Sequence, residues 1–268
     1  MYKNLYINGC SFTAGHKLEV NQSWPFLLAK SLELNLICSA KNGNSSDTIS
    51  TISNIDLSTM NPEDTYVVIG TTWPERRGIM YKDAMVNTTP GDINKKEKDI
   101  SAQAQSKTST DRRVSSLDKS KKLEEIANQL LDLPTKLPSY DYVHYFKAYT
   151  SYYKKMMLDD PKSQRNSTIN YLLNHINLQN FLKVNGFNFT FVRFQSVNIV
   201  FQNQQYIEDI TIQNLIKQVD QSKIIAFVDE KSDPQRIEHL PLRLGGSHPT
   251  SKACEYIANT LKNYINER

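Results

Sequence analysis

The feature that most constrains the fold is a series of short, nearly continuous apolar runs that alternate with longer segments of helical periodicity. Continuous apolar runs are typical of strands that are covered on both faces. Strands that alternate with helices favour right-handed crossovers and a parallel sheet. The sequence therefore predicts one α/β domain with a doubly wound parallel sheet of about five strands. The predicted strands are Leu5–Ile7, Leu34–Cys38, Thr65–Ile69, Phe187–Phe194 and Ile224–Val228.

Three helices are predicted between and after these strands. Ser23 is a candidate N-cap for the first helix, which tolerates Pro25 in its first turn. The second helix runs from about Thr168 to Val184. The last helix begins near Ser251 and repeats apolar residues at helical spacing.

The composition excludes several classes of protein. The 32 basic and 28 acidic side chains give a net charge of only +4, and they are dispersed, which argues against nucleic-acid binding. No apolar stretch approaches the roughly 20 residues of a membrane span, and Asn8 and Gly9 interrupt the N-terminal run. Cys10, Cys38 and Cys254 form no metal or disulfide pattern. We therefore expect a cytoplasmic protein without a membrane or nucleic-acid partner, with release from a lysed cell or a place in a phage particle left open.

Residues 82–185 are predicted to be an insertion within a single domain that spans residues 1–268. The polar stretch 91–122 cannot bury much apolar surface, so we interpret it as an exposed, mobile loop rather than a charged interaction arm. Residues 140–158 are rich in tyrosine and are predicted to be helical. Packing against the body of the protein is favoured there over a cap that contacts substrate or a partner.

A serine between glycines carries the first sign of chemistry. Ser11 lies in the segment Gly9–Gly15, directly after the first predicted strand, where an α/β enzyme would hold a nucleophile. Taken by itself, such a serine is more often one that satisfies a backbone group in a turn, and that interpretation is favoured until other segments are considered. His248 lies far along the chain, just before the terminal helix, and is a candidate base. The two residues together indicate a Ser/His hydrolase.

Two further turns are expected to lie beside Ser11. Gly43 and Thr72 each follow a predicted strand, and ligands in open α/β sheets bind beyond the carboxyl ends of the strands. Acyl transfer needs an activated hydroxyl, a base within hydrogen-bond reach, and donors for the developing oxyanion. Ser11, His248, and the N–H groups of Ser11 and Gly43 are candidates for these roles.

Four short blocks resemble those of the SGNH/GDSL hydrolase superfamily, in the divergent form found in phage and marine microbial genomes. In chain order they are Gly9–Phe12, Asn42–Ser46, Gly70–Trp73 and Gly245–Pro249. The resemblance implies a flavodoxin-like, three-layer α/β/α fold and a cofactor-free serine esterase. It also implies that the substrate is a small ester or an O-acetylated carbohydrate. The implied site residues are Ser11 and His248 for catalysis, with Gly43, Asn44, Thr72 and Arg76 for the oxyanion or substrate.

The sequence departs from the superfamily pattern at three positions. Cys10 stands where an aspartate is usual, and Thr72 stands where an asparagine side chain would bind the oxyanion. Gly245 replaces the aspartate that would orient His248, so a backbone carbonyl, a carboxylate such as Asp229, or no group at all takes that role. The alternatives to a working esterase are an impaired binding or virion-associated protein and an O-acyltransferase on the same scaffold.

The remaining candidates are weighed lower. For Arg76, a structural ion pair is favoured slightly over binding of a substrate carboxylate. His16 is interpreted as incidental, and Cys10 as a buried packing residue that strand alternation directs away from Ser11. No zinc site is expected, because His144, His175 and His239 lack the spacing of metal ligands.

Overall fold

The computed structural model describes residues 2–81, 84–88, 113–115, 163–194, 206, 208–227 and 248–267. The strands in these ranges are β1 (Asn4–Asn8), β2 (Asn35–Cys38), β3 (Thr65–Gly70), β4 (Arg77–Tyr81), β5 (Ala84–Thr88), β6 (Arg113–Ser115), β7 (Asn188–Arg193) and β8 (Ile224–Ala226). The helices are α1 (Ser11–Ala14), α2 (Trp24–Leu32), α3 (Ser46–Leu57), α4 (Ser163–Val184), α5 (Ile210–Gln218) and α6 (Ser251–Asn266).

The main sheet has the strand order β6-β2-β1-β3-β7-β8. Five of these strands, β2, β1, β3, β7 and β8, run parallel to one another. This is the flavodoxin-like order, in which the chain reverses its direction of winding beside β1. The predicted α/β class and the parallel sheet of five strands are confirmed. The sixth strand, β6, adds antiparallel to the edge at β2 and was not predicted.

Side chains of alternate residues in each strand enter opposite layers, which makes the fold three-layered. In β1, Leu5 and Ile7 belong to an apolar cluster with α2 and α6, whereas Tyr6 belongs to a second cluster with α3 and α4. Both faces of this strand are therefore covered, as its unbroken apolar run predicts. Burial of Ile257 and Leu261, which are fully buried in α6, contributes about 1.5–3 kcal/mol each.

The three predicted helices are present, and two details differ from the prediction: the first residue of α4 and the capping of α2. Helix α4 begins at Ser163, five residues before the predicted start, and its Arg165 pairs with Asp209 before α5. Ser23 is the N-cap residue of α2, but its hydroxyl donates to the carbonyl of Val20 (2.7 Å) and caps no backbone N–H. The prediction of a side-chain cap is wrong there, because the hydroxyl serves the preceding turn.

An antiparallel hairpin of β4 and β5 packs beside the N-terminus of α3. Asp47 in the first turn of α3 accepts hydrogen bonds from the N–H of Gly78 (3.1 Å) and from the amide of Asn170 in α4 (2.9 Å). Asn87 in β5 accepts from the N–H of Ser45 (3.0 Å). These bonds connect the hairpin to two helices of the same layer and fix the segment that follows β3.

The predictions for the polar stretch 91–122, apart from β6, and for the tyrosine-rich stretch 140–158 fall outside the described residues. Within the described ranges, no helix is both long enough and apolar enough to cross a membrane.

Candidate active site

Ser11 is the first residue of α1 and lies directly beyond the carboxyl end of β1. It is buried, between Cys10 and Phe12, which both belong to the apolar cluster under α2. The indole N–H of the fully buried Trp24 donates to the carbonyl of Phe12 (3.1 Å). The short helix is therefore held against α2, and the position of Ser11 is determined by packing as well as by its turn.

Two glycines allow α1 to approach the sheet closely. A Cβ atom at Gly9 or at Gly70 would collide with Oγ1 of Thr13, which is fully buried behind Ser11. Gly9 directly follows β1 and Gly70 is the last residue of β3, so the space for Thr13 lies where these two parallel strands end. The requirement for glycine at these positions is therefore steric rather than conformational.

His248 meets Ser11 from the other end of the chain. Its Nε2 lies 2.9 Å from Oγ of Ser11, although the two residues are 237 positions apart. Two residues later, the hydroxyl of Thr250 caps α6 by accepting from the N–H of Ala253 (3.1 Å). Because α6 packs firmly on α2, the same layer positions both the serine and the histidine.

The loop between β2 and α3, called the Gly43 loop below, contacts the turn between β1 and α1, called the serine turn. Gly43 has a φ of +82°, in the left-handed region that favours glycine. The side-chain amide of Asn44 is buried and donates to the carbonyl of Gly9 (3.0 Å). The N–H groups of Ser11 and Gly43 make no hydrogen bond to another described residue. The loop is thus tied to the serine turn, with both predicted oxyanion donors still available.

The turn after β3 contributes Thr72 and Arg76. The buried hydroxyl of Thr72 donates to the carbonyl of Asn44 (3.0 Å) and accepts from the guanidinium of Arg76 (3.2 Å). Since a hydroxyl has one hydrogen, Thr72 has none left for an oxyanion in this arrangement. This departs from the expectation that its side chain is an oxyanion donor, and it makes Thr72 a link between Arg76 and the Gly43 loop.

Arg76 also differs from expectation. Among the described residues it forms no ion pair, whereas its neighbour Arg77 lies 3.9 Å from Asp47. The structural ion pair that the sequence favoured for Arg76 is therefore found at the next position in the chain.

The surroundings of His248 disfavour its protonation. Burial, followed by the positive fields of His16, Arg76 and Lys17, lowers its pKa from 6.5 to about 4. The ring of His248 lies 5.0 Å from that of Phe12 and 4.6 Å from that of His16. At neutral pH the imidazole is therefore uncharged and able to accept a proton.

His16 is the neighbour that sequence reasoning missed. Its backbone N–H returns to the carbonyl of Ser11 (3.3 Å), and its Nδ1 lies 3.0 Å from the side-chain amide of Asn42. The ring thereby spans the serine turn and the Gly43 loop. The sequence signal for this position was Gly15, since a glycine there can adopt the left-handed conformation that ends α1.

Cys10 is completely buried, as predicted for a packing residue. The reason differs from the predicted one, because Cys10 is the N-cap of α1 rather than a strand residue. Asp229 and Gly245, the positions considered for orienting His248, lie outside the described residues, as do His144 and His239.

His175 lies in the core, in α4, with its ring 3.9 Å from that of Phe191. Within the ranges that the structure describes, no three His, Cys, Asp or Glu side chains cluster as metal ligands would.

Fold and side chains together define an α/β/α protein of flavodoxin-like topology with a serine–histidine pair at the carboxyl edge of its sheet. No family model and no curated protein matches the sequence. Solved structures do resemble it. A lipolytic protein of the G-D-S-L family from Veillonella parvula DSM 2008 is 10% identical, with 99% of this chain and 100% of that chain covered and a TM-score of 0.48.

Two other solved structures are similar at the same level. TesA is 12% identical, with 98% of each chain covered and a TM-score of 0.47. The acetyl xylan esterase Est2A from the rumen bacterium Butyrivibrio proteoclasticus is 10% identical, with 100% of this chain and 64% of that chain covered and a TM-score of 0.45. At such identities and scores the likeness carries no weight for activity, so function has to be inferred from the side chains.

Proposed function

We propose that this chain is a serine ester hydrolase in which Ser11 is the nucleophile and His248 is the general base. The observation that carries the proposal is the 2.9 Å distance between Nε2 of His248 and Oγ of Ser11. A serine hydroxyl is a weak nucleophile unless a base accepts its proton. The lowered pKa of His248 supports the assignment, because it keeps the imidazole neutral at neutral pH.

In the proposed reaction, Oγ of Ser11 attacks the carbonyl carbon of the ester while its proton moves to Nε2 of His248. The carbonyl oxygen becomes an oxyanion, and the N–H groups of Ser11 and Gly43 donate to it. The ester C–O bond then breaks, and the alcohol leaves with the proton from His248. Water, deprotonated by His248, attacks the acyl group on Ser11, and the carboxylic acid and free Ser11 are released.

Asn44 and Thr72 support this site by positioning its backbone donors. Asn44 joins the Gly43 loop to the carbonyl of Gly9, and Thr72 holds the same loop through the carbonyl of Asn44. The distance between the N–H groups of Ser11 and Gly43 therefore depends on two side-chain hydrogen bonds. Arg76, which donates to Thr72, places a positive charge beside this link.

The substrate class is a small ester or an O-acetylated carbohydrate, as the superfamily resemblance implies. All reacting groups in the proposed mechanism belong to the chain or to water, so the reaction requires no cofactor. The substrates named for the similar solved structures belong to those proteins.

The proposal is tested with an uncharged fluorophosphonate probe, which forms a covalent bond to an activated serine. We expect one adduct, found on Ser11 by peptide mass spectrometry, and its loss in Ser11→Ala. His248→Gln should slow labelling by several powers of ten. Cys10→Ala is the matched control, because it removes the thiol next to Ser11 and should leave the adduct on Ser11. If folded wild-type protein gives no adduct on Ser11, the proposed nucleophile is wrong.

A further inference from the structure

Arg76 is the starting point, because it is a half-buried cation with N–H donors that no described residue uses. Its guanidinium carries five N–H groups, and one of them donates to Thr72. Among the described residues it makes no other side-chain hydrogen bond and no ion pair. Arg77 beside it is paired with Asp47, so the pairing of one arginine and not the other is a local property of the fold.

Hydrogen bonds connect this guanidinium to the two segments that carry the proposed oxyanion donors. Arg76 donates to Thr72, Thr72 donates to the carbonyl of Asn44, and the amide of Asn44 donates to the carbonyl of Gly9. The first two bonds lead to the loop with Gly43, and the third leads to the turn that begins α1 at Ser11. Arg76 is therefore built into the same framework as the proposed oxyanion donors.

The side chains that lower the pKa of His248 electrostatically are those of three basic residues, His16, Arg76 and Lys17. Lys17 is exposed and follows His16, whose ring lies 4.6 Å from that of His248. The fields of these residues and of Arg76 all disfavour a positive charge on His248. A positive region with an arginine that has no carboxylate partner among the described residues is complementary to an anion.

We propose that the site accepts an ester that carries an anionic group, a carboxylate or a phosphate, which Arg76 binds through its unused donors. The inference rests on the proposed function and deepens it by naming the substrate class. Lys17, at the exposed side of His248, contributes long-range attraction. The anionic group belongs either to the acyl part of the ester or to its alcohol part, and each source can be tested separately.

Binding is measured on Ser11→Ala protein, because this variant holds an ester without consuming it. The acyl-side pair is 4-nitrophenyl hemisuccinate and its uncharged methyl ester. The alcohol-side pair is 4-acetoxybenzoate and methyl 4-acetoxybenzoate. In one of the two pairs, the charged member should bind roughly 10- to 100-fold more tightly, as expected for one charge-assisted contact. The preference should decrease as salt is added.

Variants at two adjacent arginines show whether Arg76 is responsible. Arg76→Gln, made in the Ser11→Ala background, should remove the preference, and Arg76→Lys should retain part of it. Arg77→Gln is the matched control and should leave the preference unchanged. If both esters of each pair bind equally, or if the preference survives in Arg76→Gln and Arg76→Lys alike, the inference is wrong.

Turnover by wild-type protein separates this inference from the proposed function. Hydrolysis of the charged and uncharged members at equal kcat/KM in both pairs, with labelling of Ser11, would overturn the anionic preference and leave the esterase intact. Charge-selective binding without turnover or labelling would support the anion site and overturn the proposed esterase.

Discussion

The pH dependence of Ser11 reactivity should reveal the unusual environment of His248. Burial and the neighbouring cations lower the pKa of this imidazole from 6.5 to about 4. At pH 5, about 90% of such an imidazole is neutral, compared with about 3% for an imidazole of ordinary pKa. The two cases therefore differ by a factor of about 30 in the fraction of active base at that pH.

The assay is the second-order rate of labelling of Ser11 by an uncharged fluorophosphonate, measured between pH 4 and pH 8. For a base of free enzyme, this rate follows the neutral fraction of the imidazole. We expect the rate to be nearly constant from pH 8 to pH 5.5, and to reach half of its plateau near pH 4. Near-UV circular dichroism at each pH verifies that the protein is folded.

Lys17→Gln distinguishes the causes of the lowered pKa. Lys17 is exposed, and its field is the smallest of the contributions to the pKa of His248, after burial, His16 and Arg76. Removing its charge should raise the midpoint of the labelling profile slightly, while burial keeps the midpoint below 6.5. A wild-type midpoint near pH 6.5 would refute the reasoning, because it would show that neither burial nor the cations affect protonation.

Two further predictions concern stability. Burial lowers the pKa of His175 to about 3, so the unfolded chain takes up a proton below pH 6.5 while the folded imidazole stays neutral. Between pH 7.5 and pH 4.5 this group should reduce the free energy of unfolding by about 2–3 kcal/mol. Chemical denaturation at the two pH values measures the loss of stability. The loss in His175→Phe should be smaller than in wild type by about 2–3 kcal/mol, whereas the control Tyr171→Phe should lose as much as wild type. Equal losses in all three proteins would contradict the prediction. Gly70→Ala should cost about 1–3 kcal/mol and slow labelling of Ser11, because its Cβ would displace Thr13. Adding Thr13→Ala to the Gly70→Ala protein should restore much of the stability and of the labelling rate. If the effects of the two substitutions simply add, the two residues do not interact and the prediction is wrong.

The sheet could be predicted because its signal is local. Each of the five parallel strands contains a short apolar run, and the three central strands, β1, β3 and β7, are buried on both faces, which requires such a run. Strand β6 could not be predicted in this way, since its three residues, Arg113–Ser115, lie within a polar stretch. Its pairing with β2 depends on backbone hydrogen bonds at the sheet edge, which leave no hydrophobic pattern in the sequence.

The site could be predicted in outline for a topological reason. Turns that follow parallel strands gather at one edge, so Ser11, Gly43 and Thr72 were expected to meet there. The hydrogen bonds that join these turns were not predictable, because a threonine hydroxyl has several possible acceptors within one turn. Only the fold shows that Thr72 donates to Asn44 and that Arg77, rather than Arg76, pairs with Asp47.

The charge around His248 connects the proposed reaction with the inferred substrate. A base of low pKa is always available at neutral pH, but it is a weak base, and its protonated form is disfavoured beside Arg76 and Lys17. Attack by Ser11 creates that protonated form, so the cations alone would raise the barrier. A bound anion on Arg76 would offset their field and raise the pKa of His248 in the complex. The same positive region would then hinder proton transfer in the empty site and assist it only when an anionic ester is bound, which is a physical basis for selectivity.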